Sequence, residues 1–270
     1  MDDDHNLAAT PDWPEIVSKI RARTPARIFV DRGPAYSTQM ELELRGAHAS
    51  AVDAVWTEFD LHRNFPADFV AQWDLFQVSS QVESKSQFLL RPDLGRNLSD
   101  AAKTLILQRC PKEPDLQIVI GDGLSGAALS SQVPALFPLL QQQARAHGWS
   151  IGQSFAVRYC RVGIMNAVGD LLSPRVLVLL IGERPGLATA ESLSAYMAYS
   201  PRPGHTDADR NLISNIHARG VRVEDAANRI LSMAARMMAL LAQLRFQFSC
   251  FHGCTRSWPP RIPPSAVRSP

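Results

Sequence analysis

The segment that most restricts the fold is the uninterrupted apolar run Val176–Ile181, which breaks off into Gly182, Glu183, Arg184, Pro185 and Gly186. Its length suits a strand and falls far short of the roughly 20 apolar residues that cross a membrane. A strand with no polar face must be covered on both sides, which is the situation of strands in parallel sheets. The surrounding sequence agrees. "LQIVI" (116–120), "FAVRYCRV" (155–162) and "RVLVLLI" (175–181) read as strands, with a helix over 133–148 closed by Gly148. "SAYMAYS" (194–200) reads as a fourth strand, its alternating Tyr and small residues suiting an edge, and a last helix spans Val223 to Leu244. This alternation predicts an α/β fold: an open, mostly parallel twisted sheet flanked by helices.

Ahead of it lies a helical annex. Helices are expected at Pro14–Arg23, at Thr38–Phe59 with a stripe of Leu42, Ala49, Val52, Val55, Trp56 and Phe59, and at Pro66–Val78. A turn at Pro92–Gly95 precedes a further helix capped by Ser99. The expected division is an N-terminal tail and first helix over 1–23, the annex over 24–112, an α/β domain over 113–244 and a disordered tail over 245–270. That tail is rich in Arg, Pro and Cys and keeps no period, a composition that fits out-of-frame translation as well as a natural extension.

A chain of 270 residues, 46% hydrophobic, has ample material for a core. Its formal net charge of +2, with no Lys/Arg stripe, gives no electrostatic basis for nucleic acid. No segment suits a membrane span, and the acidic, Pro-broken N-terminus differs from a secretory signal. Four cysteines are too few and too scattered for a disulfide framework, which points to a reduced, cytoplasmic protein.

Several stretches carry candidate chemistry. "GDGLSG" (121–126) matches the G-x-G-x-x-G fingerprint between a strand and a helix, but no acidic residue follows from Gly123 to Gly169 to hold a ribose. A stand-alone nucleotide-binding α/β enzyme is the alternative this turn keeps open; the plainer reading is a tight turn whose glycines admit a neighbouring backbone. Asp122 suits a helix-start cap, and Ser125 departs from the G-x-S-x-G elbow of serine hydrolases. "CFHGC" (250–254) offers two thiols and His252 without the second ligand pair of a structural zinc site, so no metal ligand is assigned. "RPDLGR" (91–96) holds either an internal ion pair or arginines that reach a neighbouring chain. Glu183 and Arg184 stand where open α/β sheets take ligands, just beyond a strand's carboxyl end.

Taken in order, "RPDLGR", "VIGDGLS", "VRYCRVGI", "IGERPGL", "ESLSAYMAYSPR" and "DRNLISNIH" resemble the small (light) subunits of ethanolamine ammonia-lyases, from about Thr24 to Leu244. The resemblance implies an adenosylcobalamin-dependent lyase that converts ethanolamine to acetaldehyde and ammonia. It implies that substrate and catalytic residues lie in the barrel of a separate large (heavy) subunit, so no catalytic residue is assigned here. Cobalamin is expected between the two chains of a hetero-oligomer, in the cytoplasm or within a bacterial microcompartment. The cofactor contacts so implied are Val162, Glu183 and Leu212, the last where the family usually carries a cysteine. "DLHRNF" (60–65) ends in Phe65 where a D-x-H-x-x-G loop would place glycine, so the cofactor's own base is expected to stay on cobalt.

Overall fold

The computed structural model describes residues 38–251. The expected Pro14–Arg23 helix lies outside them, as do His252, Gly253 and Cys254 of "CFHGC" and the rest of the expected tail. The chain runs α1 (Thr38–Trp56), α2 (Leu61–Asn64), α3 (Ala67–Gln72), β1 (Phe76–Ser79), α4 (Lys85–Leu90), α5 (Asp100–Arg109) and β2 (Leu116–Gly121). It continues through α6 (Gly126–Ala146), β3 (Phe155–Arg158), α7 (Ile164–Leu172), β4 (Val176–Gly182), β5 (Leu193–Tyr199), β6 (Arg210–Ile216) and α8 (Val223–Phe251).

The strands form one six-stranded sheet in the order β1-β3-β2-β4-β5-β6. β1, β3, β2 and β4 are mutually parallel, and β5 and β6 return antiparallel. All of β2 and β4 is buried. Their alternate residues explain why the run is apolar throughout. Ile118, Ile120, Val178 and Leu180 join Leu129, Val133 and Leu136 of α6 and Ile230 of α8 in one core. Val119, Leu177, Leu179 and Ile181 join Ile106 of α5 and Ile164 and Val168 of α7 in the other. The sheet is thus the middle layer of three.

The ends of the helices follow local chemistry. Ser99 caps α5 by accepting from the Ala102 amide, as its position predicts. α6 begins earlier than expected, at Gly126, because Ser125 caps it through the Ala128 amide; Pro134 and Pro138, which resemble a start signal, sit in its interior. α8 runs past Leu244 to Phe251, since no proline or glycine interrupts the sequence before Gly253.

Three expectations are corrected. Pro66–Val78 is not one helix: α3 stops at Gln72, Asp74 adopts a left-handed φ of 46°, and the chain enters β1. β5 is not an edge strand, because β6 covers it. The α1 stripe is mostly uncovered, with Leu42, Val52 and Trp56 exposed while Phe59 is buried. Among the described residues no helix is long and apolar enough to cross a membrane.

Candidate functional site

The chain passes from β2 to β3 on one side and then from β3 to β4 on the other, so the sheet's topological switch lies at β2. Crevices at such a switch, beyond the carboxyl ends of the strands, are where open α/β sheets take ligands. Here the loops after β2, β3 and β4 meet at that end. Because β5 and β6 are antiparallel to β4, they bring residues of their own to the same rim: Ser194 lies opposite Ile181, Tyr196 opposite Leu179, and Leu212 opposite Tyr196.

The β2 and β4 loops interlock through glycine. Gly123 has a φ of 61°, and a Cβ on it would collide with the Gly182 carbonyl oxygen. A Cβ on Gly182 would in turn collide with the Ser125 carbonyl oxygen. The Leu124 amide donates to that same Gly182 oxygen at 3.1 Å. The "GDGLSG" glycines therefore serve a close backbone approach to β4. Ser125 is fully buried, and its hydroxyl donates to the Ala190 carbonyl at 2.5 Å besides capping α6.

Above these loops lies a concavity of about 340 Å³. Val162 reaches it from the β3 loop, Glu183 from the end of β4, and Leu212 from β6, so three residues distant in sequence share one wall. Tyr196, Ser194 and Ser214 complete the β5–β6 side. Those last residues escape sequence reasoning singly, yet Ser194 and Tyr196, like Leu212 and Ser214, are spaced by two, the period of one strand face.

Glu183 is held from within. Its carboxylate accepts from the Ser192 hydroxyl at 2.7 Å, from the Ser194 hydroxyl at 2.7 Å and from the Asn215 amide at 2.9 Å. Asn215 takes a left-handed φ of 58°, and the β5–β6 register slips between Leu193 and Ala195. The bulge thus turns an amide that the ladder leaves free towards Glu183. The carboxylate does not pair with Arg184, which is exposed. A carboxylate accepts about four hydrogen bonds, so acceptor capacity remains for one more donor.

Below the rim, Asp122 is completely buried. It does not cap the turn that follows it. One oxygen accepts from the Tyr159 amide at 3.3 Å, where Tyr159 has a left-handed φ of 55°, and the other has no partner among the described residues. Burial pushes its pKa up to about 6, against the pull of the Lys85 ammonium. Lys85 is itself buried, with no partner for Nζ among the described residues, and burial holds its pKa below the ordinary value. Asp122 thus ties the β2 loop to the β3 loop that carries Val162.

A second, larger cavity of about 1000 Å³ adjoins the first and shares Arg161, Val162 and Tyr196 with it. Within "RPDLGR", Arg91 forms a bidentate pair with Asp93, at 3.0 and 2.7 Å, while Arg96 turns towards this cavity. Among the described residues no group of three or more His, Cys, Asp or Glu could hold a metal ion.

Comparison with known proteins places most of the chain in one company. The family model described as ethanolamine ammonia-lyase light chain matches residues 14–243. The ethanolamine ammonia-lyase small subunit of Clostridium perfringens is 37% identical over 233 residues, covering 86% of this chain and 77% of that one. The small subunit of Clostridium acetobutylicum is 36% identical over 225 residues, covering 83% and 90%. That of Fusobacterium nucleatum is 37% identical over 221 residues, covering 82% and 73%.

Proposed function

The chain belongs to the ethanolamine ammonia-lyase light chain family, and from that premise we propose that it is the small subunit of a two-chain lyase and presents one side of an adenosylcobalamin site to a large subunit. The observation that supports this most is the convergence of Val162, Glu183 and Leu212, from three strands, on a single concavity.

The residues there fit one side of a corrinoid. Val162, Ile181 and Leu212 offer apolar surface to a macrocycle, and the Ser194 and Ser214 hydroxyls and the Glu183 carboxylate offer partners to its peripheral amides. A concavity of about 340 Å³ is too small to enclose so large a group, which suits a site completed by a second chain. When bound, adenosylcobalamin supplies the radical chemistry by which ethanolamine is converted to acetaldehyde and ammonia. The task of this chain is placement. Glu183, fixed by three donors, orients without having to reorganise; Leu212, where the family usually carries cysteine, gives van der Waals contact alone. The substrate pocket and the catalytic residues belong to the large subunit.

Leu212 provides the test. It is 48% exposed, so Leu212→Asp should leave folding intact. In the complex with the large subunit it would set a charge in the apolar lining proposed to receive the macrocycle. The adenosylcobalamin concentration needed for half-maximal activity should rise about tenfold or more, with the ethanolamine KM unchanged. An unchanged cofactor requirement, or a raised ethanolamine KM instead, would remove Leu212 from the site and undercut the reading.

A further inference from the structure

At the junction of the two cavities the chain gathers positive charge that no described residue neutralises. Arg161 lines both cavities, Arg184 the smaller and Arg96 the larger. The stems of Arg161 and Arg96 are held close against the backbone of the neighbouring loops. The Arg161 amide donates to the Gly95 carbonyl at 2.8 Å, and the Arg161 stem crosses Gly95 so closely that a Cβ there would lie 2.7 Å from its Cγ. The Arg96 stem crosses Gly163 in the same way, with 2.8 Å from a Cβ to its Cγ. Arg161 also stacks on the Phe88 ring, 4.1 Å from its centroid, and donates to the Phe88 carbonyl at 2.9 Å. The Nε of Arg161 remains buried and without a partner among the described residues.

The carboxylates in reach are committed elsewhere. Asp93 pairs with Arg91, Asp207 with Arg210, and Glu183 with Ser192, Ser194 and Asn215. Asp170 lines the larger cavity but forms no ion pair with these arginines. Among the described residues the guanidinium groups of Arg96 and Arg184 have neither a hydrogen-bonded nor an ion-paired partner. Burial first, then the charges of Arg184 and Arg96, hold the Arg161 pKa below its ordinary value. Guanidinium groups gathered around adjoining cavities with no counter-charge raise the free energy of the empty protein and favour an anion that can accept several of their donors, above all a phosphate.

We propose that Arg96, Arg161 and Arg184 form a phosphate subsite that takes the phosphodiester of the corrinoid's nucleotide tail, with the macrocycle on Val162, Glu183 and Leu212. This rests on the corrinoid reading of the preceding subsection and adds a distinct element to it. The phosphodiester is the anionic group of cobalamin; the rest of its periphery consists of neutral amides. An arginine cluster beside an apolar rim therefore reads one part of the cofactor that a neutral pocket would ignore.

The test uses the reconstituted two-chain complex without substrate and three probes: cobalamin, cobinamide phosphate and cobinamide. Retention of corrin absorbance on dialysis gives the Kd for each. Arg96→Ala combined with Arg184→Ala, both exposed and safe for folding, should weaken cobalamin and cobinamide phosphate about tenfold or more. Cobinamide, which lacks the phosphate, should bind the variant and the wild type alike. Arg161→Lys, which keeps the charge but loses the planar fork, should show the same selectivity more weakly. If the variants bind all three probes as wild type does, or lose all three equally, the subsite is wrong while the corrinoid site stands. If the wild-type complex retains no corrinoid, the function proposed above fails and this subsite with it.

Discussion

Glu183, at the end of β4, and Asp122, in the turn after β2, show two ways in which a carboxylate is accommodated. Glu183 is half-buried and held by hydroxyl and amide donors, so its charge is met by hydrogen bonds. Asp122 is buried with one oxygen unpartnered among the described residues, and its proton affinity rises instead. Its folded pKa of about 6 lies above the roughly 3.9 of an exposed aspartate. Between those values the folded protein retains a proton that the unfolded chain has released, so stability falls as pH rises through the window and levels off above it. Asp122→Asn keeps an acceptor for the Tyr159 amide and removes the titration. Wild type should lose stability relative to this variant by on the order of 2–3 kcal/mol between about pH 4 and pH 6. Denaturant unfolding of both proteins across that range measures it, and a stability gap that stays constant with pH would show that Asp122 does not titrate there. The charge of Asp122 was visible in the sequence, whereas its partner was not: the turn composition favours a local cap, and only the left-handed turn at Tyr159 brings the distant amide within reach.

Among the elements, what sequence period could reveal was the buried strands. The β2 and β4 runs are apolar on both faces and announce themselves. β6 does not, because its sequence Arg-Asn-Leu-Ile-Ser-Asn-Ile is mostly exposed and carries two asparagines, which are poor strand formers. Its place is set by β5, which must turn back antiparallel because only residues 183–192 separate it from β4, too few for a helical crossover. With β6 its cavity-lining Ser214 went unread, whereas Leu212 was found only through the family resemblance. β1 was obscured differently: Phe69, Val70, Leu75, Phe76 and Val78 fit a helical stripe until Asp74 breaks it. The contact that sets the loops against one another is between glycines, and it can be probed directly. In Gly182→Ala the new Cβ would meet the Ser125 carbonyl, backbone that opens α6 and cannot swing aside. Gly186→Ala, with nothing within 4 Å, is the matched control. We expect Gly182→Ala to cost about 3 kcal/mol or more and the control less than about 1 kcal/mol. Thermal midpoints that fall equally for both would show that the β2 and β4 loops are not locked together.

At the scale of the whole molecule, the sheet is sealed on both faces by helices and left open at one end, where its parallel and antiparallel parts meet. That end carries apolar residues, fixed acceptors and unneutralised arginines within two adjoining cavities, neither of which closes over a ligand. Such a surface suits half of a binding site. Affinity for a large cofactor comes from enclosure and from contacts fixed in advance, and a one-sided rim offers the second without the first. The order of motifs along the sequence identified the family, and the structure brought Val162, Glu183 and Leu212 to one wall; the shared site between chains is the step that a binding measurement decides. Equilibrium dialysis of adenosylcobalamin against this chain alone, against the large subunit alone and against their complex is that measurement. A site shared between the chains requires the complex to retain the cofactor at least about tenfold more tightly than this chain alone. Tight retention by the isolated chain, or a complex that binds no better than the large subunit by itself, would contradict it.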